Sequence, residues 1–282
     1  MKLLDGTRIP EHPYPELRNV LHTFVDEIAA ELRENLVGIY LVGSIASGDF
    51  DLDSDVDFLV VTNTELTEAN MKPLQEIQIR IHDLDGYPAK HLEGSYISLD
   101  DLNNWNIVGE KKLYYFDNGS TTYEESTHDN QWHVRWILRE RGITLFGPNP
   151  ETILNPIPLE EMLKEIKTTM LQVLEFFQEE INRPLSFWNS RFGQSFTVLT
   201  YCRMLHTLHT GTVQSKKAGA TWAKEFVDPK WVEIIDQAWK EREGVRFLVK
   251  IHQRAEQTLL YETLEFIKYA MTQIDRVEVG AG

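Results

Sequence analysis

Two short apolar runs constrain this chain more than any other feature. VGIYLVGS (residues 37–44) and VDFLVVT (residues 56–62) read as buried strands, the second rich in β-branched residues. Between them lies SGDFDLDSD, a turn-rich loop dense in Gly, Ser and Asp. The stretch GSIASGDFDLDSDVDFLV (residues 43–60) therefore places Gly43-Ser44 at the end of one strand and Asp55-Val56-Asp57 at the start of the next. Alternation along a strand puts Asp55 and Asp57 on one face. Two carboxylates so placed repel each other unless a hard divalent cation sits between them. Gly43 lets the backbone approach a phosphate closely, and Ser44 can donate to it from its hydroxyl and its backbone N–H. A phosphate cradle beside paired metal carboxylates is what metal-assisted phosphoryl or nucleotidyl transfer requires. Asp51 and Asp53, inside the loop, read as solvated turn residues.

The surroundings fix the fold class. Residues 15–34 carry Leu17, Val20, Leu21, Phe24, Val25, Ile28 and Leu32 at helical spacing, one apolar stripe on an amphipathic helix. LEGSYISL, residues 92–99, reads as a third strand. Helix, strand, loop, strand and further strand predict a mixed domain with one layer of helices on a small sheet. Pro148, Pro150, Pro156 and Pro158 in LFGPNPETILNPIP (residues 145–158) stop helices and mark a linker. Beyond it, Met162, Ile166, Met170, Val173, Leu174, Phe177 and Ile181 continue a helical stripe, and residues 194–209 and 244–275 read as further helices. The predicted class is α+β: an N-terminal domain with a small mixed sheet over residues 1–155, then an all-helical C-terminal domain over 156–282.

Charge narrows the partners. The chain has 28 Lys plus Arg against 44 Asp plus Glu, a formal charge of −16, with no local basic cluster. A field of that sign repels a nucleic-acid backbone and attracts cationic small molecules. No apolar run reaches the roughly 18 residues that span a bilayer. Asp5 interrupts the start MKLLDGTRIP before an apolar signal region forms, so neither membrane insertion nor secretion is expected. Cys202, the sole cysteine, excludes an internal disulfide and any multi-cysteine metal site. A cytoplasmic location is the expectation.

These motifs carry a resemblance. Gly-Ser, a spacer of about ten residues and Asp-x-Asp resemble the nucleotidyltransferase superfamily of the DNA-polymerase-β type. VLTYCRMLHTLHTGTVQSKKAGATWA (residues 198–223) resembles the helical C-terminal domain of aminoglycoside adenylyltransferases acting on streptomycin and spectinomycin. WILRERGITLFGP (residues 136–148) resembles the end of their N-terminal domain. The resemblance implies that Asp55 and Asp57 hold Mg²⁺ bridged by the triphosphate of ATP, and that Gly43 and Ser44 grip its terminal phosphates. It implies that Glu93, in HLEGSYISL, is the general base toward an acceptor hydroxyl. Arg203 and Lys216 match basic positions that reach the triphosphate from the helical domain, offsetting charge on the departing pyrophosphate. Nucleotide binding would then close the cleft between the domains over ATP and acceptor. The implied activity is transfer of AMP from ATP to a hydroxyl of a cationic small molecule, an aminoglycoside or aminocyclitol antibiotic. A sibling acting on another small molecule or a protein, and a nucleotide-binding regulatory protein without catalysis, remain as alternatives. Intact Asp55, Asp57 and Glu93 argue against the second.

Some positions depart from that pattern or need no chemistry. PLSFWNSRFGQSF (residues 184–196) contains no acidic residue where the family places drug contacts, although Trp188 is present. The guanidinium groups of streptomycin call for buried carboxylates, which this stretch does not supply. Asp129 and Asn130 read as caps of the helix that follows them. His206 and His209, three apart without a third ligand nearby, read as core or surface histidines. Of the neighbours Lys216 and Lys217, one reads as surface charge.

Overall fold

The computed structural model describes residues 14–52, 54–183, 185–243 and 247–274. The start MKLLDGTRIP and Asp53 lie outside the described residues. The chain divides into two compact units, Met1–Ile157 and Pro158–Gly282. Among the described residues no helix is long and apolar enough to cross a membrane.

In the first unit, helix α1 (Leu17–Leu32) buries the apolar stripe predicted from its spacing. Strand β1 (Leu36–Leu41) follows, then the single helical turn α2 (Gly43–Ala46) and strand β2 (Val56–Thr62). Helix α3 (Glu68–His82) starts at a capping box formed by Thr67 and Asn70 and leads to β3 (Leu92–Ser98). After the turn α4 (Leu99–Leu102) come β4 (Leu113–Phe116), β5 (Tyr123–Ser126), α5 (Trp132–Arg141), β6 (Ile143–Phe146) and α6 (Pro150–Ile153). The strands form one sheet in the order β5-β4-β3-β2-β1-β6. Only β2 and β3 run parallel; the other neighbours are antiparallel. Val56, Phe58 and Val60 join the core beneath α1 and α3, with Phe24 packed against Phe58 at 4.8 Å between ring centres. The alternate residues of β2 therefore face the opposite side of the sheet.

The second unit is helical: α7 (Leu159–Glu180), α8 (Arg191–Thr210), α9 (Lys216–Phe226), α10 (Val232–Arg242), α11 (Phe247–Ile251) and α12 (Gln257–Thr272). α8 is its axis. Buried residues lie on every face of it, including Phe192, Thr197, Val198, Tyr201, Leu205 and Leu208, so it has no solvent stripe. α9 packs closely on α8 because Gly219 has no side chain: a Cβ there would stand 2.7 Å from the Cα of Arg203.

Four local expectations are corrected. The first strand ends at Leu41, not at Ser44; Val42 still donates to the Asp57 carbonyl, after which Gly43, at φ +60, turns the chain into α2. The proline-rich segment is not all linker, because Ile143–Phe146 completes the open edge of β1 and buries Leu145 fully. Of the helix expected over 244–275, residues 244–246 and 275 lie outside the described residues, and 247–274 are not one helix. The segment between α11 and α12 is extended, with Ala255 donating to Asn189 and Arg191 donating to Gln253, and this pairing overrides local helix propensity.

The fourth correction concerns Asp129 and Asn130, neither of which caps α5: its first residue follows Gln131, and no side chain caps it. Asn130 is fully buried and donates to the carbonyls of Ile107 and Lys111, both at 2.7 Å. Its own oxygen accepts from Arg135 at 2.6 Å, and Arg135 also donates to the carbonyls of Asp101 and Leu102. This buried guanidinium ties the loop 127–131 to α4, and Asn130 ties it to the segment 107–111. Arg135→Met keeps the apolar stem but strands those acceptors, so it is expected to destabilise the protein by about 3 kcal/mol, read as a loss of urea midpoint at unchanged slope.

Candidate active site

The polar face of the sheet gathers its acidic residues by register. β2 and β3 pair with Asp57 opposite Glu93, and Asp55 lies two residues before Asp57 on the same face. Asp55, Asp57 and Glu93 each offer a carboxylate oxygen within 4.8 Å of the others. A hard divalent cation with ligands at about 2.1 Å brings opposite oxygens to about 4.2 Å, so small side-chain adjustments would let one ion take all three. The donor set fits such an ion: oxygens only, with excess negative charge.

The α2 turn closes one side. The Ser44 backbone N–H donates to the Asp57 carboxylate, while the Ser44 hydroxyl is buried and without a partner. Gly43 fits against Asp57 only because it lacks a side chain; a Cβ there would lie 1.8 Å from Oδ2. Gly43 and Ser44 are thus brought beside the carboxylates, with an unused donor available to an anion. On the other side Asn118 donates to Asp55 Oδ2 at 3.2 Å, and its oxygen meets His91 Nδ1 at 2.7 Å. His91 in turn stacks on Tyr87 at 3.8 Å.

Glu93 is 7% exposed, less than Asp55 or Asp57 as whole residues. The Tyr115 hydroxyl donates to its Oε1 at 2.5 Å and also lies 3.1 Å from Asp117 Oδ1. His128 Nδ1 stands 3.8 Å from the same Oε1 and 3.1 Å from Asp129 Oδ1, and Ser95 donates to Asp129 Oδ2 at 2.7 Å. Sequence reasoning passed over Tyr115, Asp117, Asn118 and His128. The period-two pattern Tyr115-Phe116-Asp117 was a usable sign, since it matches Glu93-Gly94-Ser95 on the neighbouring strand.

Arg203 and Lys216 belong to the second unit, on α8 and α9. Arg203 is half-buried where Gly219 crosses it. Lys216 opens α9 after Ser215, which caps it, and its ammonium lies 4.8 Å from the Phe196 ring. Lys217 is exposed. His206 and His209 pack against Trp222, and His209 also against Phe226, as members of an aromatic cluster.

Crowding shows in the proton affinities. Burial first, then Asp55, Glu93 and Asp129, holds the Asp57 carboxyl well above the usual range. Burial and the charge of Asp55 push Glu93 from 4.5 to about 8, with the Tyr115 hydrogen bond and His128 opposing. The hydrogen bond to Asp129 leads in raising His128 from 6.5 to about 9. Glu93 and His128 thus hold protons more tightly folded than unfolded, so their stabilisation is lost as pH rises through those windows. Without a divalent cation, the melting temperature is expected to fall between about pH 4.5 and about pH 9. Added Mg²⁺ should raise it more at the alkaline end, where protons no longer compete for the carboxylates. Scanning calorimetry across pH, with and without Mg²⁺, reads both effects.

Known proteins give this arrangement a family. Residues 25–114 match the model of the nucleotidyltransferase domain, and residues 152–269 match the C-terminal domain of aminoglycoside adenylyltransferase. A spectinomycin 9-adenylyltransferase from Staphylococcus aureus is 28% identical over 222 residues, covering 74% of this chain and 79% of that protein. An aminoglycoside (3'')(9) adenylyltransferase from Escherichia coli is 24% identical over 274 residues, covering 92% and 96%. The crystal structure of an Enterococcus spectinomycin adenyltransferase with ATP and spectinomycin shares the fold, at a TM-score of 0.65 and 18% identity over 90% of this chain and 98% of that one. With a nucleotidyltransferase domain followed by a C-terminal domain like that of the aminoglycoside adenylyltransferases, the chain is a nucleotidyltransferase similar to those enzymes.

Proposed function

We propose that this enzyme uses Mg²⁺ and transfers AMP from ATP to a hydroxyl of an aminocyclitol or aminoglycoside antibiotic, with spectinomycin as the favoured acceptor. The observation that carries the reading is the convergence of Asp55, Asp57 and Glu93 beside the Gly43–Ser44 turn. Asp55 and Asp57 would hold the metal, whose chemistry when bound is to neutralise triphosphate charge and orient the α-phosphate. Gly43 and the unpartnered Ser44 hydroxyl accommodate the terminal phosphates. Glu93 takes the proton of the acceptor hydroxyl as that oxygen bonds to the α-phosphorus. The bond from the α-phosphorus to the bridging oxygen breaks, and pyrophosphate leaves. Arg203 and Lys216 are the basic residues proposed to offset the triphosphate charge.

The names of the relatives support the acceptor class, and residues 184–196 favour spectinomycin within it. That stretch has no carboxylate to receive the guanidinium groups of streptomycin. Incubation with Mg²⁺, ATP and each drug, followed by mass spectrometry, should show one added adenylate on spectinomycin and little on streptomycin. No adduct on spectinomycin would refute the acceptor assignment.

Two variant sets test the roles. Asp55→Asn and Asp57→Asn should each remove pyrophosphate release while preserving the fold, because an amide binds Mg²⁺ poorly and relief of carboxylate repulsion costs little. Near-parental release from either would contradict the metal assignment. Arg203→Ala and Lys216→Ala should weaken ATP binding about tenfold or more, as expected for charge-assisted contacts, with the acceptor KM little changed. Calorimetric titration with ATP decides; unchanged affinity in both removes these residues from the phosphate site.

A further inference from the structure

Glu93 has two carboxylate oxygens in unequal surroundings. Oε1 receives the Tyr115 hydroxyl at 2.5 Å and faces His128 at 3.8 Å, whereas Oε2 accepts no hydrogen bond among the described residues. The difference follows from the sheet. β3 and β4 pair with Ser95 opposite Tyr115, so the side chains of Glu93, Ser95, Tyr115 and Asp117 share one face. The phenol reaches diagonally across the ladder to Glu93 rather than to its direct partner.

We propose that Tyr115 is the positioning residue for Glu93: its hydroxyl fixes Oε1 and thereby presents Oε2 to the acceptor hydroxyl. The inference rests on the reading of Glu93 as the base. A glutamate side chain has three rotatable bonds, and Asp55 and Asp57 repel this one, so a free carboxylate would turn away from the position where the reaction needs it. Tyr115 prevents that rotation because it cannot itself move. Its ring is 4% exposed, and the His128 ring lies over it at 5.0 Å and 31°. Asp129 and Ser95 fix His128 in turn, so the support returns to β3 two residues from Glu93. Burial and the neighbouring carboxylates push the phenol far up, so Tyr115 stays a neutral donor under all working conditions. One oxygen anchors the carboxylate while the other is left to accept a proton.

Tyr115→Phe deletes the hydroxyl and keeps the ring beneath His128. With spectinomycin and Mg²⁺-ATP, kcat is expected to fall about ten- to a hundredfold, the range for a reacting group displaced by about an ångström. The KM values for ATP and spectinomycin should stay within about twofold, while the lost buried hydrogen bond lowers the melting temperature by a few degrees without unfolding the protein. Glu93→Gln should lower kcat by about 10²–10⁴. Tyr115→Phe in the Glu93→Gln background should add little, because a hydroxyl that acts only by orienting Glu93 has nothing left to orient. Parental kcat in Tyr115→Phe, or losses that multiply in the double variant, would overturn the proposal. A parental rate in Glu93→Gln would overturn the base assignment itself, and the two failures are thereby told apart.

Discussion

The parallel pairing of β2 with β3 is the constraint on which the rest of the first unit depends. Its register sets Asp57 opposite Glu93, and strand alternation brings Asp55 to the same face. The same register sends Val56, Phe58 and Val60 into the apolar layer beneath α1 and α3. A slip of one residue would exchange the faces, burying carboxylates under the helices and exposing the core. Core packing and site geometry are therefore one choice: the hydrophobic pattern that stabilises the sheet also aims the acidic residues.

That choice has an electrostatic cost. Asp55, Asp57, Glu93, Asp117 and Asp129 crowd one region beside the His128 imidazole, and burial raises the cost of charge on Asp57 and Glu93. The surrounding structure offsets it with fixed donors: the Ser44 backbone N–H on Asp57, Asn118 on Asp55, Tyr115 on Glu93 and Ser95 on Asp129. Arg135 and Asn130, both buried, hold the loop that carries His128 and Asp129. Such a region is stabilised further by any cation that enters it, so the energy that assembles the site also favours its ligand.

The second unit solves a different problem. α8 is surrounded on every side, which lets it hold Arg203 in a fixed half-buried position instead of on a mobile surface. Gly219 brings α9 against it, and the Ser215 cap starts α9 at Lys216. Small-residue packing and a helix cap thus help to set the two cations.

Local chemistry in the sequence was enough to reveal β2, β3, α1 and the helical character of the second half. Their apolar periods are strong, and nothing in the tertiary structure opposes them. The Gly-Ser and Asp-x-Asp elements were legible for the same reason, since spacing along one hairpin-like unit is itself geometry. Only the folded chain decided that Ile143–Phe146 becomes a sheet edge, that Gly43 opens a helical turn and that residues between α11 and α12 stay extended. In each case a distant backbone partner outweighs the local preference. The setting of Glu93 was hidden for a related reason: Tyr115 is 22 residues away and His128 farther still. They meet Glu93 only through the β3–β4 register and the loop pinned by Arg135, and long-range register is not written in any short stretch of sequence.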